Sequence, residues 1–101
     1  MKEFILGIDQ GSTGSKAMIV NAQGEVVVSA YRRIRSFYPQ EGWLEHDPNE
    51  MWSSVRECNQ EIALQFDMKS VLAIGVTNQR ETTILWDRVT GEALTPAISW
   101  Q

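Results

Sequence analysis

Short apolar runs that end in glycine or polar turn residues recur along the chain, and such runs are typical of β-strands. They predict strands over residues 3–9, 16–20, 25–35, 70–76, 82–87 and 93–100. The runs at 3–9 and 70–76 are almost wholly apolar, which predicts strands buried on both faces. We expect the first three strands to form an antiparallel meander, and the last two to form a hairpin about the turn at 89–92.

One helix is predicted after residue 47, where several helix-start signals occur together. Asp47 is a typical N-cap, Pro48 fits the first helical position, and Glu50 stands three residues after the cap, as in a capping box. An apolar stripe at spacings of three and four follows: Met51, Val55, Cys58, Ile62 and Phe66. A helix between a meander and a new strand should cross over right-handed and place strand 70–76 parallel to one of the first three. The order βββαβ followed by a hairpin indicates an α/β fold.

The composition is that of one soluble domain, and it argues against several classes of function. The 101 residues include 9 Lys and Arg against 13 Asp and Glu, a net charge of −4, so we expect no nucleic-acid partner. The single cysteine, Cys58, excludes an internal disulfide, and the single histidine, His46, argues against a metal cluster built on imidazoles. The first apolar run is too short for a signal peptide or a membrane span, which favours a cytoplasmic protein.

Residues 9–16, with the sequence Asp-Gln-Gly-Ser-Thr-Gly-Ser-Lys, contain the densest group of candidate ligands. Asp9 ends a predicted strand and could anchor a metal ion beside backbone N–H and hydroxyl donors. Gly11 and Gly14 would let the main chain approach phosphate oxygens closely. The spacing matches neither a P-loop nor a dinucleotide-binding fingerprint. The alternative interpretation is a hairpin turn rich in small residues.

A second polar cluster, Asn-Gln-Arg-Glu at 78–81, follows the strand at 70–76. The end of a buried strand is a usual ligand position in an open α/β sheet. Arg80 could donate hydrogen bonds to hydroxyl groups while Glu81 accepts them. An ordinary solvated loop is the alternative.

The remaining distinctive residues favour structural roles. Cys58 lies on the apolar stripe of the helix and is expected to be a buried small hydrophobe, while His46 is expected to belong to loop structure. The arginines at 32, 33 and 35 favour a solvated strand face. The tryptophans are expected in the core or at an interface: Trp43, Trp52, Trp86 and Trp100.

Four segments, in order and at matching spacing, resemble the FGGY family of carbohydrate kinases: 7–13, 38–48, 74–83 and 98–101. The run Asn-Gln-Arg-Glu-Thr-Thr at 78–83 is similar to that of the glycerol kinases within this family. The resemblance implies a ribonuclease-H-like (actin-like ATPase) fold, of which this chain would be the N-terminal portion. It also implies ATP and Mg²⁺ as cofactors and glycerol or a related polyol as substrate.

The resemblance assigns roles to both polar clusters. Asp9 would help to hold Mg²⁺, and Arg80 and Glu81 would bind the hydroxyl groups of the polyol. The ATP phosphates would be contacted by the loop residues Gly11, Ser12, Thr13, Gly14 and Lys16. Two of these depart from the glycerol kinase pattern, because Gly14 stands where Ser is common and Lys16 where Arg is common. The first change removes a hydroxyl donor, and the second removes the planar guanidinium fork.

The resemblance further implies that residues 1–101 are a fragment of the kinase N-terminal domain. The catalytic base would lie beyond residue 101, so we expect the chain to be inactive alone, to expose apolar edges and to form homo-oligomers. One alternative is a kinase for another polyol or sugar. Two alternatives of other classes share the fold, namely a ribonuclease-H-like nuclease and a non-catalytic binding domain.

Overall fold

The computed structural model describes residues 3–99, and its main element is a four-stranded sheet covered on one face by a helix. The elements are β1 (Phe4–Gln10), β2 (Gly14–Val20), β3 (Val26–Arg33), β4 (Leu44–His46), α1 (Pro48–Gln65), a 3-10 turn (Met68–Ser70), β5 (Val71–Asn78) and β6 (Ala97–Ser99). The sheet has the strand order β3-β2-β1-β5, and β5 runs parallel to β1. The predicted α/β fold, with an antiparallel meander and a helical crossover to a parallel strand, is confirmed.

Helix α1 begins where the sequence predicts, but it does so without the predicted capping box. The Asp47 side chain accepts a hydrogen bond of 2.9 Å from the backbone N–H of Asn49, and Pro48 is the first helical residue. Glu50 does not reach back to the cap. Its carboxylate accepts hydrogen bonds from the backbone N–H and from Nε of Arg35, the latter at 2.7 Å. The capping-box prediction is therefore wrong, because an arginine brought close by the fold takes up this carboxylate.

The core lies between α1 and the faces of β1, β2 and β3 that point toward it. Its buried members are Leu6, Ala17, Ile19, Ala30, Cys58 and Ile62. The two helix residues in this set belong to the predicted apolar stripe, so the helix face and the buried state of Cys58 are confirmed. Since one helix covers only one face of the sheet, the opposite face is free to carry a site.

The prediction that the first and last sheet strands are buried on both faces is wrong. In β5, seven of the eight residues are exposed, and Ile74 and Val76 retain 62% and 69% of their accessible surface. In β1 only Leu6 and Gln10 are buried, while Ile5 is 46% exposed. The reason is that α1 packs mainly on β2 and β3 and barely reaches β1.

The region after β5 is less regular than the predicted hairpin. Residues 82–87 form no strand, and in the described part of the second predicted strand, 93–99, only 97–99 become β6. Isolated bridges join Thr83 to Ile98 and Trp86 to Ala93, and the turn at 89–92 is present with Gly91 at a φ of 78°. Strand β6 pairs with β4, which arises within residues 36–46, where the sequence predicts neither a strand nor a helix.

Several structural roles differ from the sequence-based expectations. Trp43, Trp52 and Trp86 are more than half exposed, so a core position is wrong for these three, and Trp100 lies outside the described residues. His46 is fully buried in β4 instead of lying in a loop, with Nδ1 hydrogen-bonded to the Arg35 carbonyl at 3.1 Å. Arg32 is not simply solvated, since it forms an ion pair of 2.8 Å with Glu61. Between residues 3 and 99, no helix has the length and apolar character that a membrane crossing requires.

Candidate functional site

A tight loop, residues 11–13, connects β1 to β2 at one end of the sheet. The backbone N–H of Gly11 donates to the Gly14 carbonyl at 2.8 Å, and the Ile34 N–H donates to the Thr13 carbonyl at 3.1 Å. Ser12 and Thr13, which carry the two hydroxyl groups of the loop, are exposed. The loop is therefore fixed through its backbone while its hydroxyl residues remain accessible to a ligand.

Gly14 is required by close packing and not by an unusual backbone angle. A Cβ atom at this position would collide with the carbonyl oxygen of Arg32 and with the hydroxyl of Tyr31. The same tyrosine hydroxyl lies 3.2 Å from Oγ1 of Thr13. At this position β3 and its tyrosine therefore occupy the space that a side chain would need.

The loop is supported from below by a buried hydrogen bond to α1. Ser54 donates its hydroxyl hydrogen to the Met51 carbonyl at 2.7 Å, so Ser15 is the donor in the 2.6 Å contact between the two serine hydroxyls. Ser15 is fully buried, and its own carbonyl accepts a hydrogen bond from the Cys58 thiol. Burial raises the pKa of this thiol, which keeps Cys58 in its neutral form.

The uncovered face of the sheet carries a row of polar side chains beside the loop. Lys16 is paired with Asp9 on one side and with Tyr31 on the other, and Asp9 is also paired with Thr77 of β5. Residues that are directly opposite on neighbouring strands project to the same face, and all four are exposed. A carboxylate and an ammonium group are therefore adjacent next to the hydroxyl-bearing loop.

Gln79 joins the loop to the second polar cluster. Its Nε2 donates to Oε1 of Gln10 and to the carbonyl of Gly11, both at 3.1 Å. Its Oε1 accepts from the hydroxyls of Thr82 at 2.9 Å and Ser99 at 3.3 Å. The sequence pattern assigned no role to Gln79 itself, although the parallel pairing of β1 with β5 could have indicated that residues 10 and 79 would meet.

Arg80 and Glu81 lie next to each other in sequence but line two different clefts. Arg80 lines a cleft of about 320 Å³ together with Asp9, Gly11 and Ser12. Glu81 lines a cleft of about 500 Å³ on the side of Trp43. The backbone of Glu81 has a φ of 59°, which is uncommon for a residue with a side chain. Because Ser99 lines both clefts, they are neighbours.

The predicted site residues are therefore brought together in part. Asp9, Gly11, Ser12 and Arg80 share one cleft, whereas Glu81 lines the adjoining one. Thr13, Gly14 and Lys16 line neither of these two clefts and lie at the Tyr31 side of the loop.

The donor set fits a nucleotide phosphate with its magnesium ion. Within residues 3–99 no group of three or more His, Cys, Asp or Glu side chains could hold a metal ion by itself. Magnesium does not require such a group, because it usually takes one or two carboxylates and completes its shell with water and phosphate oxygens. The exposed Asp9 could offer such an ion one carboxylate, and the exposed hydroxyls of Ser12 and Thr13 could serve as donors to phosphate oxygens.

The sheet has a glycine-containing loop directly after its first strand. Its topology is that of the first part of an actin-like ATPase fold, which the solved kinases similar to this chain share. Residues 4–101 match the N-terminal domain of the FGGY family of carbohydrate kinases. The chain belongs to this family.

Relatives in sequence and in structure include several kinases of this family. A glycerol kinase of Oceanobacillus iheyensis is 46% identical over 102 residues, which cover 99% of this chain and 20% of that protein. The structure of Plasmodium falciparum glycerol kinase with ADP matches with a TM-score of 0.81 and 33% identity, over 95% of this chain and 20% of that one. A xylulose kinase from Rhodospirillum rubrum matches with a TM-score of 0.84 and 28% identity over the same shares. The chain thus spans about a fifth of the length of these relatives.

Proposed function

We propose that this chain provides the phosphate-binding loop and part of the polyol site of an enzyme that transfers the γ-phosphoryl group of ATP to glycerol, forming glycerol 3-phosphate. The observation that carries the proposal is the Gln79 bridge, which ties the loop after β1 to the segment with Arg80 and Glu81. A phosphoryl transfer needs its donor and its acceptor held at adjacent positions. The 46% identity to a glycerol kinase favours glycerol over other acceptors.

The chain's residues divide the work between the two substrates. Ser12 and Thr13 would donate hydrogen bonds to phosphate oxygens, and Gly11 and Gly14 would let the phosphates approach the main chain closely. Lys16 would add a positive charge beside Asp9. Bound Mg²⁺ would neutralise the negative charge of the phosphates, with Asp9 as its protein ligand.

For the polyol, Arg80 would donate hydrogen bonds to the hydroxyl groups and Glu81 would accept them. Their placement in adjoining clefts lets one polyol be held from two sides.

We further propose that residues 1–101 are the N-terminal part of the FGGY N-terminal domain, and that the catalytic base belongs to a later segment. Positioning and charge neutralisation dominate phosphoryl transfer, so a chain with half of the site should not catalyse it alone. We also propose a cytoplasmic location for the protein. The free, buried Cys58 is compatible with the reducing conditions there. The bare apolar surface of β5 supports the proposal that the isolated chain self-associates.

The test uses the protein translated from the complete reading frame that contains this sequence. We expect ATP-dependent phosphorylation of glycerol at about 1–100 s⁻¹, the usual range for kinases. Arg80→Ala should lower kcat/KM for glycerol about 10- to 100-fold, because hydrogen bonds from a charged donor are lost. Arg88→Ala, which removes an exposed arginine from the distant turn, is the matched control and should leave the rate unchanged.

Three results would contradict the proposal. If the protein phosphorylates xylulose or gluconate but not glycerol, the proposed acceptor is wrong. If the protein phosphorylates no polyol or sugar, the proposed kinase activity is wrong. Full turnover by the 101-residue chain alone would contradict the assignment of the base to a later segment.

A further inference from the structure

We propose that Tyr31 is a phosphate-positioning residue that acts through Thr13. The inference rests on the proposed function, since it concerns the same loop. Tyr31 lies on β3 directly opposite Lys16, and its hydroxyl is 3.2 Å from Oγ1 of Thr13. Tyr31 is 18 residues from Thr13 in sequence, so only the register of β3 on β2 brings the two side chains together.

The packing at Gly14 shows that the tyrosine and the glycine fit each other. A Cβ at position 14 would meet both the hydroxyl and the outer ring carbon of Tyr31. The ring can reach Thr13 only because residue 14 has no side chain. The loop therefore lacks a hydroxyl at position 14 but gains one from the neighbouring strand at nearly the same place.

In this proposal the phenol is the donor of the contact between Tyr31 and Thr13, in which either hydroxyl could donate, and this choice gives the Thr13 hydroxyl a direction. An aliphatic hydroxyl has one hydrogen and rotates to suit its partners. When the phenol of Tyr31 donates to Oγ1 of Thr13, the hydrogen of the threonine hydroxyl is left for an acceptor such as a phosphate oxygen. A chain of hydrogen bonds from phenol to hydroxyl to phosphate also polarises each member, which strengthens the last bond.

Burial alone does not account for this hydroxyl. Tyr31 is 47% exposed and lies on the face of the sheet that α1 does not cover. It stands in the same row as Lys16 and Asp9, the charged groups that the proposed function assigns to phosphate and magnesium. The phenol thus belongs to the polar edge of the site, while its ring covers the backbone of Gly14.

The decisive variant is Tyr31→Phe, which removes the hydroxyl and keeps the ring over Gly14. In the protein from the complete reading frame, we expect the Kd for ADP with Mg²⁺, measured by calorimetry, to rise about 2- to 10-fold, as for one neutral hydrogen bond. The KM for ATP should rise in parallel, while the KM for glycerol and the melting temperature without nucleotide stay unchanged. Tyr38→Phe removes the hydroxyl of the chain's other tyrosine, which is exposed and forms no hydrogen bond within residues 3–99, and should change none of these values.

Each other outcome overturns the proposal in a distinguishable way. If Tyr31→Phe binds ADP as the unsubstituted protein does while Tyr31→Ala lowers the melting temperature, the ring only covers Gly14. If the KM for glycerol rises with that for ATP, the whole loop is displaced and the role is structural. If the unsubstituted protein binds no nucleotide, the proposed function fails and this role fails with it.

Discussion

Strands β1 and β5 have nearly the same apolar sequence pattern, yet their surroundings differ sharply. On the covered side of the sheet, Leu6 of β1 retains 3% of its accessible surface, and Ile62 of α1 retains none. In β5, Ile74 pairs with Leu6 across the sheet but remains 62% exposed. An apolar run thus predicts a strand, but it does not predict whether another element packs on that strand. In the described residues this depends on the position of α1.

The largest expected effect comes from truncating one isoleucine in each region. Ile62→Ala should lower the free energy of unfolding by about 2–5 kcal/mol, because it leaves a cavity beneath α1. Ile74→Ala removes the same atoms from an exposed position and should change this free energy by no more than about 0.5 kcal/mol. Urea unfolding of the 101-residue chain, followed at several protein concentrations, measures both.

The concentration series also tests the self-association proposed for the isolated chain. We expect sedimentation to show association that grows with concentration and that Ile74→Lys weakens by placing a charge on the β5 surface. If Ile74→Ala is as costly as Ile62→Ala at every concentration, β5 is covered within one chain and the contrast between the strands is wrong. A monodisperse monomer would contradict the association.

A smaller effect is expected where the covered region supports the loop. Ser54→Ala removes the acceptor of the buried Ser15 hydroxyl and should cost about 1–3 kcal/mol, the penalty of an unsatisfied buried polar group. The matched control is Ser53→Ala, next to it on α1 but only half-buried, which should be nearly neutral. Urea unfolding measures both, and equal values for the two variants would show that water replaces the lost partner.

The parts of the fold that the sequence predicted correctly depend on local signals. Asp47 and Pro48 start α1 as expected, and Gly91 has a positive φ in the turn predicted at 89–92. The incorrect predictions depend on distant partners. Strand β4 forms because β6 arrives beside it from about fifty residues later, and no local pattern in residues 36–46 carries that information.

The same division applies to the candidate site. Strand ends indicated the positions of Asp9 and Arg80, and the structure places both on one cleft. The bridging role of Gln79 and the contact of Tyr31 with Thr13 depend on the register between strands far apart in sequence. Composition and spacing along one strand do not determine that register, so these two residues became visible only in the assembled sheet.

The smallest expected effect concerns Glu50, whose carboxylate joins helix α1 to the segment after β3 through hydrogen bonds with Arg35. Hydrogen bonds from the backbone N–H of Arg35, and then from its guanidinium, lower the pKa of Glu50 below its usual value of 4.5. A carboxyl group with a lowered pKa stabilises the folded state above its unfolded pKa and loses this contribution as the pH falls through the folded value. Glu50→Gln should therefore cost about 1 kcal/mol at pH 7, and the difference from the unsubstituted protein should shrink below about pH 4.5. Urea unfolding between pH 7 and pH 3 measures this, with the exposed Glu41→Gln as control. If the stability difference between Glu50→Gln and the unsubstituted protein stays constant over this range, the cost of the substitution comes from packing or hydrogen-bond geometry and not from the lost charge.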